Sequence, residues 1–222
     1  APGGALIIKA FAEDVRGALG AKAAVHVAAP GLPATVSLRV RSGGRPQGYR
    51  LVIGEGGVDV TGSDLDGLHY GVQTLRQIVA QSPGGALPFL RITDWPDLRE
   101  RGVYYDICRG RVPKRERLIE LVDHLSRYKI NHFQLYIEHT FQFRRHPDIG
   151  TGASPLSPED ILAVDAHCRA RRIEMVPSLA SFGHMAPILK HPQYHHLAED
   201  WGTNTYVDPA VLDNPHIRRL KA

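Results

Sequence analysis

The stretch Arg101-Gly102-Val103-Tyr104-Tyr105-Asp106-Ile107-Cys108-Arg109 sets a short hydrophobic strand directly before an aspartate and an arginine three residues apart. Two later stretches repeat the plan, with apolar residues first and bulky polar ones at the carboxyl end. One is Asn131-His132-Phe133-Gln134-Leu135-Tyr136-Ile137-Glu138-His139, and the other is Ile173-Glu174-Met175-Val176-Pro177 running into Ser181-Phe182-Gly183-His184. Segments of helical period lie between them. Strands alternating with helices of this length imply βαβ units and a parallel sheet, whose functional residues collect at the carboxyl ends of the strands. Asp106, Arg109, His139 and His184 are therefore expected on one rim.

The first intervening helix is expected from Pro113 to Lys129, with Leu118, Val122, Leu125 and Tyr128 on one face and Pro113 in the first turn. The second begins at Ser157-Pro158-Glu159-Asp160, which offers an N-cap, a proline at the first helical position and two acids against the positive helix end. Arg169, Arg171 and Arg172 stand at its negative end. The connection from Glu138 to Leu156 is long for a compact domain, and long loops on a functional face commonly carry function.

Upstream, residues 1 to about 92 read as a separate α+β unit. A short helix is expected over Phe11 to Leu19 and a strand over Thr35 to Val40. A hairpin pairs Tyr49–Ile53 with Gly57–Gly62 around Gly54-Glu55-Gly56. A helix follows, with Leu68, Val72, Leu75 and Val79 at 3.6-residue spacing, Ser63 or Asp64 as its cap and Gly84-Gly85 beyond its end. The expectation is a small sandwich of two or three strands with helices on one face. Leu87 to Leu98 reads as a proline-stiffened connection to the second unit.

Composition narrows the function classes. With 222 residues, 43% of them hydrophobic, the chain holds enough apolar matter for one large domain or two small ones. No apolar run approaches the roughly 20 residues that cross a bilayer, so no membrane partner is expected. The start, Ala1-Pro2-Gly3-Gly4-Ala5, lacks a basic region followed by an apolar one, and the compartment is left unknown. The formal charge of +4 is dispersed and interleaved with acids, so no nucleic-acid partner is expected either. Two cysteines are too few for a disulfide framework. Cys108 reads as packed at the end of the first strand and Cys168 as buried on the inner face of a helix.

The motifs resemble a known family. Asp66-Gly67-Leu68-His69-Tyr70-Gly71-Val72-Gln73-Thr74-Leu75-Arg76-Gln77 is similar to the last helix of the small N-terminal domain of glycoside hydrolase family 20, the β-N-acetylhexosaminidases. Ile92-Thr93-Asp94-Trp95-Pro96-Asp97, with Arg101-Gly102 and Asp106 to Arg109, resembles that family's entry into its (β/α)8 barrel. Lys129-Ile130-Asn131-His132-Phe133-Gln134-Leu135 resembles the second barrel strand, and Val176-Pro177 with Gly183-His184 the third. The resemblance implies an α/β fold with a hexosaminidase-like α+β domain over residues 1–92. The first part of a (β/α)8 TIM barrel, about three βα units, would follow over 93–222.

It also implies a chemistry. Terminal β-linked N-acetylhexosamine is removed by substrate-assisted catalysis, in which the sugar's 2-acetamido oxygen attacks the anomeric carbon and gives an oxazolinium intermediate. The protein supplies an acid for the leaving oxygen, a carboxylate that orients the acetamide and donors that hold the sugar. Arg109 matches the arginine that grips sugar hydroxyls, and His184 matches a histidine near the pocket floor. Their plainer readings are an ion pair with Asp106 and a hydrogen-bonded structural histidine.

The chain departs from the family pattern. Tyr136 and then Glu138-His139-Thr140 stand where many members carry a histidine and an Asp-Asp pair, and Ser178-Leu179-Ala180 where others carry Glu and Asp. No segment after His184 offers a strand ending in the family's Asp-Glu pair, and Glu199-Asp200 closes a polar stretch instead. No catalytic residue is therefore assigned. The expected substrate-binding residues are Asp106, Arg109, Tyr136, Glu138, His139 and His184, with no cofactor and no metal.

The partner is expected to be an N-acetylhexosamine-containing glycan. The chain by itself is expected to be inactive and part of a longer polypeptide. The alternative, that another chain completes the open sheet, keeps a homo-oligomer in play. A non-catalytic carbohydrate-binding or scaffold module on the same fold is one rival. A metal-dependent hydrolase using His139, His184 and Asp106 is another, although no His-x-His, His-Glu-x-x-His or Cys-x-x-Cys spacing supports it.

Overall fold

The computed structural model describes residues 9, 10, 12, 36–82, 86–181 and 183–198. The helix expected over 11–19, Glu199-Asp200 and Phe182 fall outside the described residues. The elements are β1 (Val36–Val40), β2 (Tyr49–Gly54), β3 (Gly57–Gly62), α1 (Leu65–Ala80), β4 (Leu90–Asp94), β5 (Gly102–Asp106) and α2 (Arg115–Arg127). They continue with β6 (His132–Tyr136), α3 (Pro158–Ala170), β7 (Glu174–Val176) and the single turn α4 (Ala186–Leu189). Two compact units result. One holds residues 1–101, 122–131 and 168–173, and the other holds the remainder.

In the first unit the sheet order is β1-β3-β2-β4, with β1 parallel to β3 and the other pairs antiparallel. The hairpin closes at the Gly54–Gly57 pair, where Gly57 adopts φ +100°. That conformation belongs to glycine in tight hairpin loops. Alternation along β2 and β3 turns Leu51, Ile53, Val58 and Val60 to one face, where they are buried with Leu68, Val72 and Leu75 of α1. Val79 is only partly buried there.

Asp64 is the cap that forms. Its carboxylate accepts from the Gly67 N–H at 2.7 Å and from the Gln47 N–H at 2.7 Å, tying the helix start to the loop before β2. A Cβ at Gly67 would lie 2.0 Å from the Gly48 carbonyl oxygen, so only glycine lets that turn approach.

One correction concerns the segment read as a connection. Residues 90–94 form a fourth strand, paired with β2 from Tyr49–Asp94 to Ile53–Leu90. Leu90 and Ile92 pack against the core, while Pro88 and Pro96 stay outside the strand. A second correction concerns Arg171 and Arg172. They lie beyond the end of α3 and form ion pairs, Arg171 with Asp123 at 2.6 Å and Arg172 with Asp66 at 2.6 Å. In the same unit the buried His69 of α1 places Nε2 2.9 Å from Ser126 Oγ, on the carboxyl-terminal half of α2.

The second unit carries a sheet of order β5-β6-β7, parallel throughout. The register pairs Asp106 with Tyr136 and Gln134 with Val176, which aligns the carboxyl ends of β5 and β6. α2 begins two residues after Pro113, and its Leu118, Val122 and Leu125 are buried. Tyr128 is not, being 75% exposed. The helix has ended at Arg127, and Lys129 at φ +59° turns the chain away directly after Tyr128, which lies outside the apolar stripe.

The start of α3 forms as expected. Ser157 Oγ accepts from the Asp160 N–H at 3.0 Å, and the Asp160 carboxylate accepts from the Ser157 N–H at 3.1 Å, a reciprocal capping box. Further along, the chain enters a 3-10 turn over Pro192–Leu197. Tyr194 and Leu197 are buried there with Ile149, Ile188 and Leu189. Among the described residues no helix is long and apolar enough to cross a membrane.

Candidate functional site

All six residues singled out in the sequence lie in the second unit, and an unbroken series of contacts joins them. The series starts where β5 ends. Asp106 accepts from the Cys108 N–H at 2.8 Å and the Arg109 N–H at 3.3 Å, and its other oxygen pairs with the Arg109 guanidinium. These donors, the Cys108 N–H foremost, hold the Asp106 carboxyl below the usual carboxylate range. The ion pair foreseen as the plainer reading of Arg109 is therefore present. The Arg109 side chain is nevertheless 66% exposed, and its guanidinium carbon lies 5.0 Å from the ring centroid of Tyr136.

The end of β6 contributes the buried carboxylate. Glu138 is 8% exposed, and its Oε1 accepts from the Tyr136 hydroxyl at 2.7 Å. Burial first, and the Glu138 carboxylate second, raise the Tyr136 hydroxyl's pKa, so it stays a donor. The same Oε1 lies 3.9 Å from His184 Nδ1, and Oε2 lies 4.0 Å from His139 Nδ1. His184 arrives from the segment after β7 with φ +59° and sets its ring edge-on to Tyr136 at 6.3 Å. That segment is registered by the Ala180 N–H donating to the Ile137 carbonyl at 3.1 Å and by a 2.8 Å hydrogen bond between Tyr104 and Ser178.

Two residues that the sequence reading did not assign to the site, Cys108 and Thr140, knit the rim together. The Cys108 sulfur accepts from the Glu138 N–H at 3.0 Å and lies 3.2 Å from Thr140 Oγ1. A cysteine two residues past a strand-end aspartate was the only available signal. Phe141 and Phe143 pack edge to face at 5.1 Å. They line a cavity of about 490 Å³ with Arg144, Pro158, Ile161 and Leu162, and its lining includes neither Glu138 nor His184.

Chemically, the rim offers a fixed carboxylate flanked by two imidazoles, an exposed guanidinium and two tyrosine rings. Such a set offers hydrogen-bond donors and acceptors together with ring faces. A subset, Cys108, Glu138 and His139, brings three potential metal-ligand atoms within 4.8 Å of one another.

Comparison with known proteins adds an independent line. Residues 7–95 match the model of glycosyl hydrolase family 20, domain 2. The β-hexosaminidase of Vibrio vulnificus is 24% identical over 192 residues, covering 72% of this chain and 22% of that protein. The β-hexosaminidase of Akkermansia muciniphila is 27% identical, covering 61% and 31%, and the β-hexosaminidase subunit A1 of Dictyostelium discoideum is 24% identical, covering 78% and 34%. The chain thus spans about a fifth to a third of these curated relatives.

Among solved structures, the Streptomyces plicatus N-acetyl-β-hexosaminidase in complex with Thio-NAglucal superposes with a TM-score of 0.74 at 24% identity, over 94% of this chain and 44% of that one. The chitobiase of Flavobacterium johnsoniae superposes with a TM-score of 0.79 at 19% identity, over 97% and 36%. These structures speak to the mixed α/β fold, and the family model and curated relatives speak to descent. Residues 7–95 thus match a domain of glycoside hydrolase family 20, and the curated proteins to which the chain is similar are β-hexosaminidases.

Proposed function

We propose that the full-length protein is a β-N-acetylhexosaminidase that releases terminal β-linked N-acetylhexosamine from glycans by substrate-assisted catalysis. In this reading residues 1–92 are the accessory α+β domain, and 93–222 are the first part of a (β/α)8 barrel with the sugar at the carboxyl ends of its strands. What supports it most is the continuous rim from Asp106 through Arg109, Tyr136 and Glu138 to His139 and His184. That rim is set in a chain whose relatives are β-hexosaminidases.

The geometry supports a role for each residue in this reading. Arg109 keeps a fixed orientation through Asp106, and its remaining N–H donors are exposed for the sugar hydroxyls. Glu138, held by Tyr136, and His184 line the inner side of the bound ring. The sugar's acetamide oxygen forms the new bond to the anomeric carbon as the bond to the leaving oxygen breaks. The proton for that oxygen comes from an acid in the part of the protein outside residues 1–222, so this chain alone does not turn over substrate.

Release of the aryl group from aryl β-N-acetylglucosaminide and β-N-acetylgalactosaminide tests the proposal, on full-length protein and on residues 1–222 separately. Activity is expected only in the former. Arg109→Ala removes a charged hydrogen-bond donor and is expected to lower kcat/KM of the full-length enzyme by about 10- to 100-fold with the fold retained. Unchanged kinetics in that variant, or turnover by residues 1–222, would overturn the assignment. Glycan binding without release by the full-length protein would favour the carbohydrate-binding module instead.

A further inference from the structure

The Glu138 carboxylate has two differently employed oxygens. Oε1 is taken by the Tyr136 hydroxyl and faces His184. Oε2 turns toward His139, whose Nδ1 is buried and has no hydrogen-bond partner among the described residues. A buried ring nitrogen without a partner is costly, and native structures rarely leave one so without a reason. The Cys108 sulfur completes the inner side. It comes from the segment after β5, whereas Glu138 and His139 follow β6, and the three ligand atoms lie within 4.8 Å of one another.

We propose that Cys108, Glu138 and His139 form a three-ligand site for Zn2+ on the inner side of the Glu138 carboxylate, distinct from the side that faces His184. The donor set decides the ion. Sulfur with imidazole and one carboxylate suits zinc, whereas calcium and magnesium require oxygen throughout. Tetrahedral zinc holds its ligand atoms roughly 3.5 Å apart, so the three need contract by little more than an ångström.

Charge favours the same ion. A thiolate and a carboxylate balance a divalent cation, leaving a neutral unit. The His139 Nδ1, buried and without a hydrogen-bond partner among the described residues, has a lone pair to offer when the imidazole is neutral. The Glu138 N–H, 3.0 Å from the Cys108 sulfur, and the Thr140 hydroxyl, 3.2 Å from it, are positioned to donate to a thiolate. A coordinating thiol gives up its proton to solvent when the cation binds. Three protein ligands leave the fourth position to water.

The ligands escape a spacing search because 30 residues separate Cys108 from Glu138, and only the β5–β6 register brings them together. The site does not depend on the glycosidase reading, since binding is measured without substrate. Full-length protein stripped with a chelator and titrated with Zn2+ in a calorimeter is expected to take up one equivalent.

Cys108→Ser and His139→Ala are each expected to weaken that binding by more than the roughly 10- to 100-fold that losing an outer-shell partner costs, whereas His184→Ala retains the full equivalent. Substitution with Co2+ is expected to give a thiolate-to-cobalt charge-transfer absorption in the near ultraviolet, which reads the wild-type protein and survives any failure of the variants to fold. Absence of stoichiometric uptake, uptake unchanged in Cys108→Ser and His139→Ala, or a cobalt spectrum without the thiolate band would overturn the proposal.

Discussion

His69 makes a sharp thermodynamic prediction about the first unit. Its side chain is 2% exposed, and Nε2 sits 2.9 Å from Ser126 Oγ and 3.4 Å from Gln73 Nε2. Burial, followed by the positive charges of Arg171, Arg172 and Arg76, pushes its pKa down to about 3. The folded protein therefore keeps this imidazole neutral through mild acid, while the unfolded chain takes up a proton near the ordinary histidine value of about 6.5.

Below that value the unfolded state binds more protons than the folded state, so stability falls as pH falls, with a slope approaching about 1.4 kcal/mol per pH unit. From pH 7.5 to pH 5 the loss from this one group comes to about 2 kcal/mol. Urea unfolding followed by circular dichroism at several pH values, on wild type and His69→Gln, isolates it. Glutamine keeps a polar group near Ser126 but does not titrate, so every other histidine cancels in the difference. The wild-type advantage over the variant should shrink by about 2 kcal/mol across that interval. A difference that stays flat with pH would mean His69 titrates alike in both states, and the argument from burial would fail.

Two further substitutions test the local reasoning. Gly67→Ala gains helix propensity of about 1 kcal/mol but drives a Cβ to within 2.0 Å of the Gly48 carbonyl oxygen. Because that oxygen is backbone, no rotamer relieves the clash, and a net loss of about 2 kcal/mol or more is expected by thermal unfolding; a stabilised variant would show that the loop before β2 yields freely. Ser157→Ala removes the hydroxyl from the reciprocal cap at the start of α3 and should cost about 1 kcal/mol in the same measurement. No change there would mean that water or Asp160 alone satisfies the helix end.

What could be read from the chain and what could not divides along physical lines. The hairpin at Gly54–Gly57, the Asp64 and Ser157 caps and the stripe of Leu68, Val72 and Leu75 are encoded by neighbours in sequence, so their chemistry is visible there. β4 was missed because five residues between prolines alternate too briefly to announce a strand. Its partner, β2, lies some forty residues away. Tyr128 was misplaced because a helical stripe does not reveal where the helix stops, and the left-handed Lys129 decides that.

At the site, the polar strand ends marked Asp106, Arg109, His139 and His184 correctly as neighbours of one rim. The partition of Glu138 between its two faces and the role of Cys108 as acceptor for the Glu138 N–H were invisible. They depend on which side chains the parallel register of β5 and β6 brings level.

The amino-acid order alone determined the periodicities, turns and caps, and with them the plan of an α+β unit followed by parallel βα repeats, because each of those choices is settled within a few residues. Tertiary structure alone decided the sheet order, the fourth strand, the pairing of Arg172 with Asp66 and the meeting of Cys108 with Glu138 and His139. Those contacts join residues tens of positions apart, and their energies exist only once burial has removed water and fixed the distances.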